Sequence, residues 1–210
     1  MNKYCRLCWN STNWQRPTGE ASKLKTKGTF IEKNSFGFEE WLFRFDWILS
    51  GYNGDKSKYR YGFIQPMDKD RKSKVRKLFT VLLFTRNEAK DILIVAKIDN
   101  LYVPDNVEVK WATKKTKRRG WFAAMCRELI AENINEEPKG VFDKEPRFIN
   151  VRFRPEDVKC YYPRPIVIGD HKIKRNLRYI ALDWNDPFPP IDRKLEVGDC
   201  YKINREILRI

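Results

Sequence analysis

The chain has a single histidine, His171, which limits every histidine-dependent chemistry. HNH nucleases, histidine-rich metal sites and His-based phosphodiesterases need more imidazoles than that. His171 itself sits in Gly169-Asp170-His171-Lys172-Ile173-Lys174-Arg175, a polar, basic stretch that reads as an exposed loop. Cys5 and Cys8 form a Cys-x-x-Cys, but Cys126, Cys160 and Cys200 are isolated, so the further close pair that a structural zinc site needs is missing. The pair reads instead as two alternating strand positions next to a third, and neither a metal nor a cofactor is expected. Pro104-Asp105 followed by Glu108-Val109-Lys110 mimics the PD-(D/E)xK pattern, in which carboxylates hold Mg²⁺ and a lysine assists water. That pattern normally separates its Asp from Glu-x-Lys by a strand, whereas here all three share one short segment. A Mg²⁺-dependent nuclease is therefore an alternative rather than the main reading, and the chain is expected to be non-catalytic.

Charge carries more information. The 43 Lys and Arg against 28 Asp and Glu in 210 residues give a net charge of +15. The densest positive stretch runs from Lys110 to Trp121 and holds Lys114, Lys115, Lys117, Arg118 and Arg119. A second, over Asp68 to Lys77, holds Lys72 and Lys74, and a third spans Lys172 to Arg178. Lysines and arginines that reach phosphates release condensed counterions, giving salt-sensitive affinity for nucleic acid. The runs lack the opposing apolar face of a membrane-surface helix, and no apolar stretch approaches the roughly 20 residues of a span, so no membrane partner is expected.

Aromatic residues are interleaved with this charge, among them seven tryptophans. Trp9 and Trp14 flank a turn-rich stretch, and Trp41 falls on a candidate helix next to Glu39 and Glu40. Rings that stack on a base, with Asn10, Asn13, Glu39 or Glu40 testing its polar edge, would make a pocket for an extruded nucleobase. The expected pocket residues are Trp9, Asn10, Trp14, Glu40 and Trp41.

The elements that would position these groups follow from periodicity. Lys3 to Trp9 alternates as a strand. Phe38, Trp41, Leu42, Phe45, Ile48 and Leu49 fall at helical spacing, predicting a helix from near Phe36 to Ser50-Gly51. Phe43 and Trp47 point the other way on that helix, which gives it two apolar faces. Tyr59 to Pro66 reads as a strand, and Leu78 to Thr85 with Ile92 to Val103 as a β-hairpin. A second helix is expected over Gly120 to Asn133, and strands over Arg147 to Phe153 and Leu177 to Trp184. Hydrophobic residues at 41% are enough for a sizeable core. Short strands with two helices in no regular alternation predict an α+β fold, a curved or barrel-like mixed sheet flanked by helices. The N-terminus lacks the apolar stretch of a signal peptide, and five cysteines without one fit reduced thiols, so a cytoplasmic location is expected. The last residues, Asn204 to Ile210, read as an interrupted helix and predict a module of a longer protein.

Cys5-x-x-Cys8-Trp9-Asn10-Ser11-Thr12-Asn13-Trp14, Phe36-Gly37-Phe38-Glu39-Glu40-Trp41-Leu42-Phe43, Tyr61-Gly62-Phe63-Ile64-Gln65-Pro66 and Asn150 to Asp157 together resemble the EVE- or YTH-like (PUA superfamily) specificity domains of modification-dependent restriction endonucleases. The resemblance implies a PUA-like core over residues 1–160 with a 161–210 extension packed on it. It also implies a base cage with Trp9, Asn10 and Ser11 after the first strand, and a nuclease in a fused or partner domain. The chain carries neither a complete EVE nor a complete YTH signature, which leaves the base and the nucleic acid open. The expected function is recognition of a modified base in double-stranded DNA by flipping it into an aromatic pocket. The alternatives are a module for modified or structured RNA and a basic interaction domain whose aromatics are all core.

Overall fold

The two longest apolar runs pair with each other. β4 (Leu78–Arg86) and β5 (Ile92–Tyr102) form an antiparallel hairpin, from Leu78 opposite Tyr102 to Arg86 opposite Ile92. Their β-branched and aromatic residues are buried nearly throughout, because both faces of this hairpin are covered. The structure, a computed structural model, describes residues 1–23, 29–89, 91–144 and 148–161, together with the strand segments 166–168 and 182–183.

The other strands, β1 (Asn2–Arg6), β2 (Ile48–Ser50), β3 (Lys58–Gly62), β6 (Val151–Phe153), β7 (Val158–Cys160), β8 (Ile166–Ile168) and β9 (Leu182–Asp183), extend the hairpin on both sides. The sheet runs β2-β3-β6-β5-β4-β1-β9, with β7 and β8 also on β5. Eleven residues make β5 long enough for its second edge to take β8, β7 and β6 in succession. β1 lies parallel to β4 and the remaining pairs are antiparallel, so the sheet is mixed. The fold is α+β, as expected from the sequence. Among the described residues the strand path is open, ending at β2 and β9, and does not close on itself.

Among the described residues six short helices accompany the sheet: α1 (Glu20–Lys23), α2 (Phe30–Asn34), α3 (Gln65–Asp68), α4 (Asn106–Arg118), α5 (Trp121–Ala131) and α6 (Pro138–Lys144). α5 matches the helix expected over 120–133. The helix expected from Phe36 does not form. Only Phe38–Trp41 makes a 3-10 turn, followed by tight turns and then β2. The cause is burial on both sides. Leu42, Phe43 and Phe45 enter one apolar cluster with Trp14, Val81, Val95 and Phe153, while Phe36, Phe38, Trp41, Trp47 and Leu49 enter another with Met125, Leu129 and Phe142. An irregular chain can send neighbouring aromatic residues to two cores, whereas a helix directs its apolar stripe to one. Buried Arg60 holds this path by donating to the Trp41 and Leu42 carbonyls. No helix among the described residues is long and apolar enough to cross a membrane.

His171, the run Lys172 to Arg178, Cys200, the last residues from Asn204 and most of the strand expected over 177–184 lie outside the described residues.

Candidate functional site

The residues expected to form a base pocket are mostly core. Trp14 and Trp41 are 1% and 0% exposed and belong to different apolar clusters, so they do not face each other across an open space. Their indole N–H groups are used internally: Trp14 Nε1 donates to the Cys8 carbonyl at 3.0 Å and Trp41 Nε1 to Glu128 Oε2 at 2.6 Å. Asn10 and Glu40 are also buried and bonded to one another, Asn10 Nδ2 donating to Glu40 Oε2 at 2.9 Å. Glu40 further accepts from the backbone N–H groups of Thr18 and Gly37. Asn10 Oδ1 accepts from Thr12 and Trp14. Trp9 is half-buried and Ser11 exposed. The structure thus places Trp14 and Trp41 in two separate cores, and Asn10 and Glu40 in a buried network whose polar atoms hold the 10–18 loop.

Glu39 lies beside Glu40 and accepts the Gln65 backbone N–H at 2.9 Å. Burial pushes both carboxyls up to about 7, against the downward pull of the N–H groups that point at them.

The basic residues divide differently from the sequence expectation. Lys74 is buried, and its ammonium group donates to the Pro66 and Lys69 carbonyls, which takes it out of a phosphate-facing set. Lys72 remains exposed. Lys114, Lys115, Lys117, Arg118 and Arg119 are all exposed on or just after α4. Lys110 joins them, a residue the sequence reading left out of its phosphate set.

α4 forms because Asp105 caps it, accepting from the backbone N–H groups of Val107 and Glu108, both at 3.0 Å. Asp105-x-x-Glu108 is the spacing of a helix start, and Gly120, in the left-handed region at φ +74°, makes the turn into α5. The sequence held this signal, but the charge run hid it. Glu108, Val109, Ala112 and Thr116 are the buried side. Glu108 accepts from Tyr61 Oη at 2.8 Å and pairs with Arg152 at 2.9 Å. Arg152 in turn lies between the Tyr59 and Tyr102 rings, 4.4 and 4.6 Å from their centres. This clamp, which the sequence reading missed, fixes the helix against the sheet.

The six cations Lys110, Lys114, Lys115, Lys117, Arg118 and Arg119 consequently face outward, and among the described residues none of them has a carboxylate partner. Lys110, Lys114, Lys117 and Arg118, together with Asn106, Val109 and Thr113, line a cavity of about 650 Å³. The Thr113 hydroxyl is buried without a hydrogen-bond partner among the described residues.

No protein-family model matches this chain, and no curated protein or solved structure does either.

The PD-(D/E)xK-like residues are each engaged in separate contacts. Asp105 is a helix cap that also pairs with Arg76 at 2.7 Å, Glu108 is held in the Tyr61–Arg152 clamp, and Lys110 lies on the outward side.

A second aromatic feature adjoins the cations. Trp47 and Trp121 stack with ring centres 5.7 Å apart and planes 5° from parallel. Arg44 covers Trp47 at 4.1 Å and is itself fixed by Glu128 at 2.6 Å and Asp46 at 3.0 Å. Arg119 lies over Trp121 at 5.4 Å.

Proposed function

We propose that the chain is a nucleic-acid-binding module that grips phosphates with the outward face of α4. The observation that carries this reading is the separation of charge on one helix. Its single acidic residue, Glu108, is turned inward and paired, while six cations on the same helix and its end face outward without carboxylate partners among the described residues. Such a face costs self-repulsion when unoccupied, and a polyanion relieves it while releasing counterions. The last-turn cations Lys115, Lys117 and Arg118 also sit at the negative end of the helix dipole, which keeps them compatible with helix stability. The cavity beside Lys110, Lys114 and Lys117 gives phosphate oxygens a recess with Thr113 as an additional hydrogen-bonding group.

The finer reading, a PUA-like reader of a modified base in duplex DNA that serves a nuclease carried elsewhere, belongs to the same proposal. A mixed sheet with helices beside it supports that reading. Its base-contacting rings would have to come from outside the Trp14 and Trp41 cores. The test is a binding titration of matched unmodified and methylated duplexes over a series of salt concentrations. Salt-dependent binding supports the phosphate grip, and a preference for one modified duplex supports the finer reading. Binding to neither overturns both.

A further inference from the structure

We infer that Trp121 is a stacking platform for an unstacked nucleobase, with Arg119 as its displaceable cover. The inference rests on the phosphate grip proposed for α4, and it assigns the ring that a bound strand would meet.

Both rings of the Trp47–Trp121 stack have cations beside them, Arg44 and, farther off, Arg60 at Trp47 and Arg119 at Trp121, and the two sides are unlike. Arg44 sits close to Trp47 and is locked by two carboxylates. Arg119 is exposed, stands farther from its ring and has no carboxylate partner among the described residues. Trp47 lies in near-parallel contact with one face of Trp121, which leaves the other face for a second group, and Arg119 lies 5.4 Å from the centre of that ring. Trp121 itself is half-buried and held at the first position of α5. It is therefore a pre-oriented ring, and the side chain over it can leave. Arg118 and Lys117 precede it on the basic face, with Lys117 positioned over Phe122 at 4.9 Å. A nucleotide whose phosphate meets Lys117 or Arg118 would present its base to this ring. Arg119, once displaced, remains close enough to take a phosphate itself. Stacking of this kind tolerates any base, because every base has a π face.

The test compares a single strand of thymidines with an abasic strand of equal length and charge, in fluorescence anisotropy at one fixed salt concentration. Wild-type protein should bind the thymidine strand roughly tenfold tighter. Trp121→Phe should keep most of that ratio, and Trp121→Ala should abolish it. Arg119→Ala should weaken binding of the abasic strand yet raise the ratio. Equal binding of both strands by the wild-type protein would overturn the platform while leaving the phosphate grip standing, and that result needs no variant to fold. Failure of either strand to bind at low salt would overturn the grip as well. A duplex with one bulged thymine, run beside a matched duplex, separates the sources of the base. A Trp121-dependent preference for the bulge assigns an extruded base, and dependence on the single strand alone assigns single-stranded nucleic acid.

Discussion

The Asn10 amide donates to the Glu40 carboxylate across 2.9 Å in the interior, and this one bond ties the loop after β1 to the 3-10 turn at Phe38–Trp41. Around it Glu40 accepts two backbone N–H groups, from Thr18 and Gly37, and Asn10 Oδ1 accepts the Trp14 N–H. Residues Asn13 and Trp14 both have positive φ, 57° and 55°, an uncommon state for a bulky side chain that these bonds sustain.

Replacing Glu40 by Gln should therefore destabilise the protein although it removes a buried charge. The new amide offers one acceptor where the carboxylate offers two, and its NH₂ group faces donors. At least one buried donor loses its partner, at a cost of about 1–3 kcal/mol. Urea unfolding would register this as a lower midpoint with an unchanged slope; an unchanged midpoint would contradict the assignment.

The adjacent pair Glu39 and Glu40 should give stability a distinctive pH dependence. Burial raises both carboxyls from 4.5 to about 7 in the folded state. The folded chain then binds more protons than the unfolded one across that window, so the stability these groups contribute is full below pH 4.5 and falls as pH rises to about 7. Asp105 has the opposite sign. The Glu108 N–H and then the Arg76 guanidinium hold its carboxyl below 3.8, and the stability it contributes is lost only as pH falls below that value. Thermal unfolding midpoints measured from pH 4.5 to 8 should decline and then level, and the decline should shrink in Glu39→Gln.

Trp14→Ala should act as a core truncation. The ring is 1% exposed, meets Phe43 edge-on at 6.4 Å and bonds the Cys8 carbonyl. A loss of about 3–5 kcal/mol in chemical unfolding is expected. Loss of modified-base preference with stability intact would instead place this ring in a binding pocket.

How much of this could be read from the sequence depends on what each segment buries. The β4–β5 hairpin was legible because both runs are apolar and β-branched and are separated by a polar turn. α5 was legible because Met125 and Leu129 recur at helical spacing against one core. The segment 36–49 was misread because its aromatics repeat at helical spacing while serving two cores. α4 was passed over for the reverse reason. Its inward side consists of Glu108, Val109, Ala112 and Thr116, too small and polar to leave an apolar signature. Its basic residues were seen as a charge run, and only the cap at Asp105 reveals a helix. Lys74 shows the limit of reading charge alone: like Lys72 in sequence, it differs by being folded onto two carbonyls. The burial of the candidate pocket residues was not legible, because tryptophan and a buried carboxylate look alike in sequence whether they face a ligand or each other.

The α4 face is the central claim, and a salt titration tests it most directly. Anisotropy of a labelled matched duplex would be followed between about 50 and 200 mM salt for wild type, Lys114→Ala/Lys117→Ala and Lys74→Met. If α4 holds phosphates, the double variant binds every duplex more weakly and its log–log salt slope flattens by about 1.8, or ~0.9 for each lost phosphate contact. Lys74→Met keeps the wild-type slope. Equal affinity and equal slope for wild type and the double variant would contradict the account.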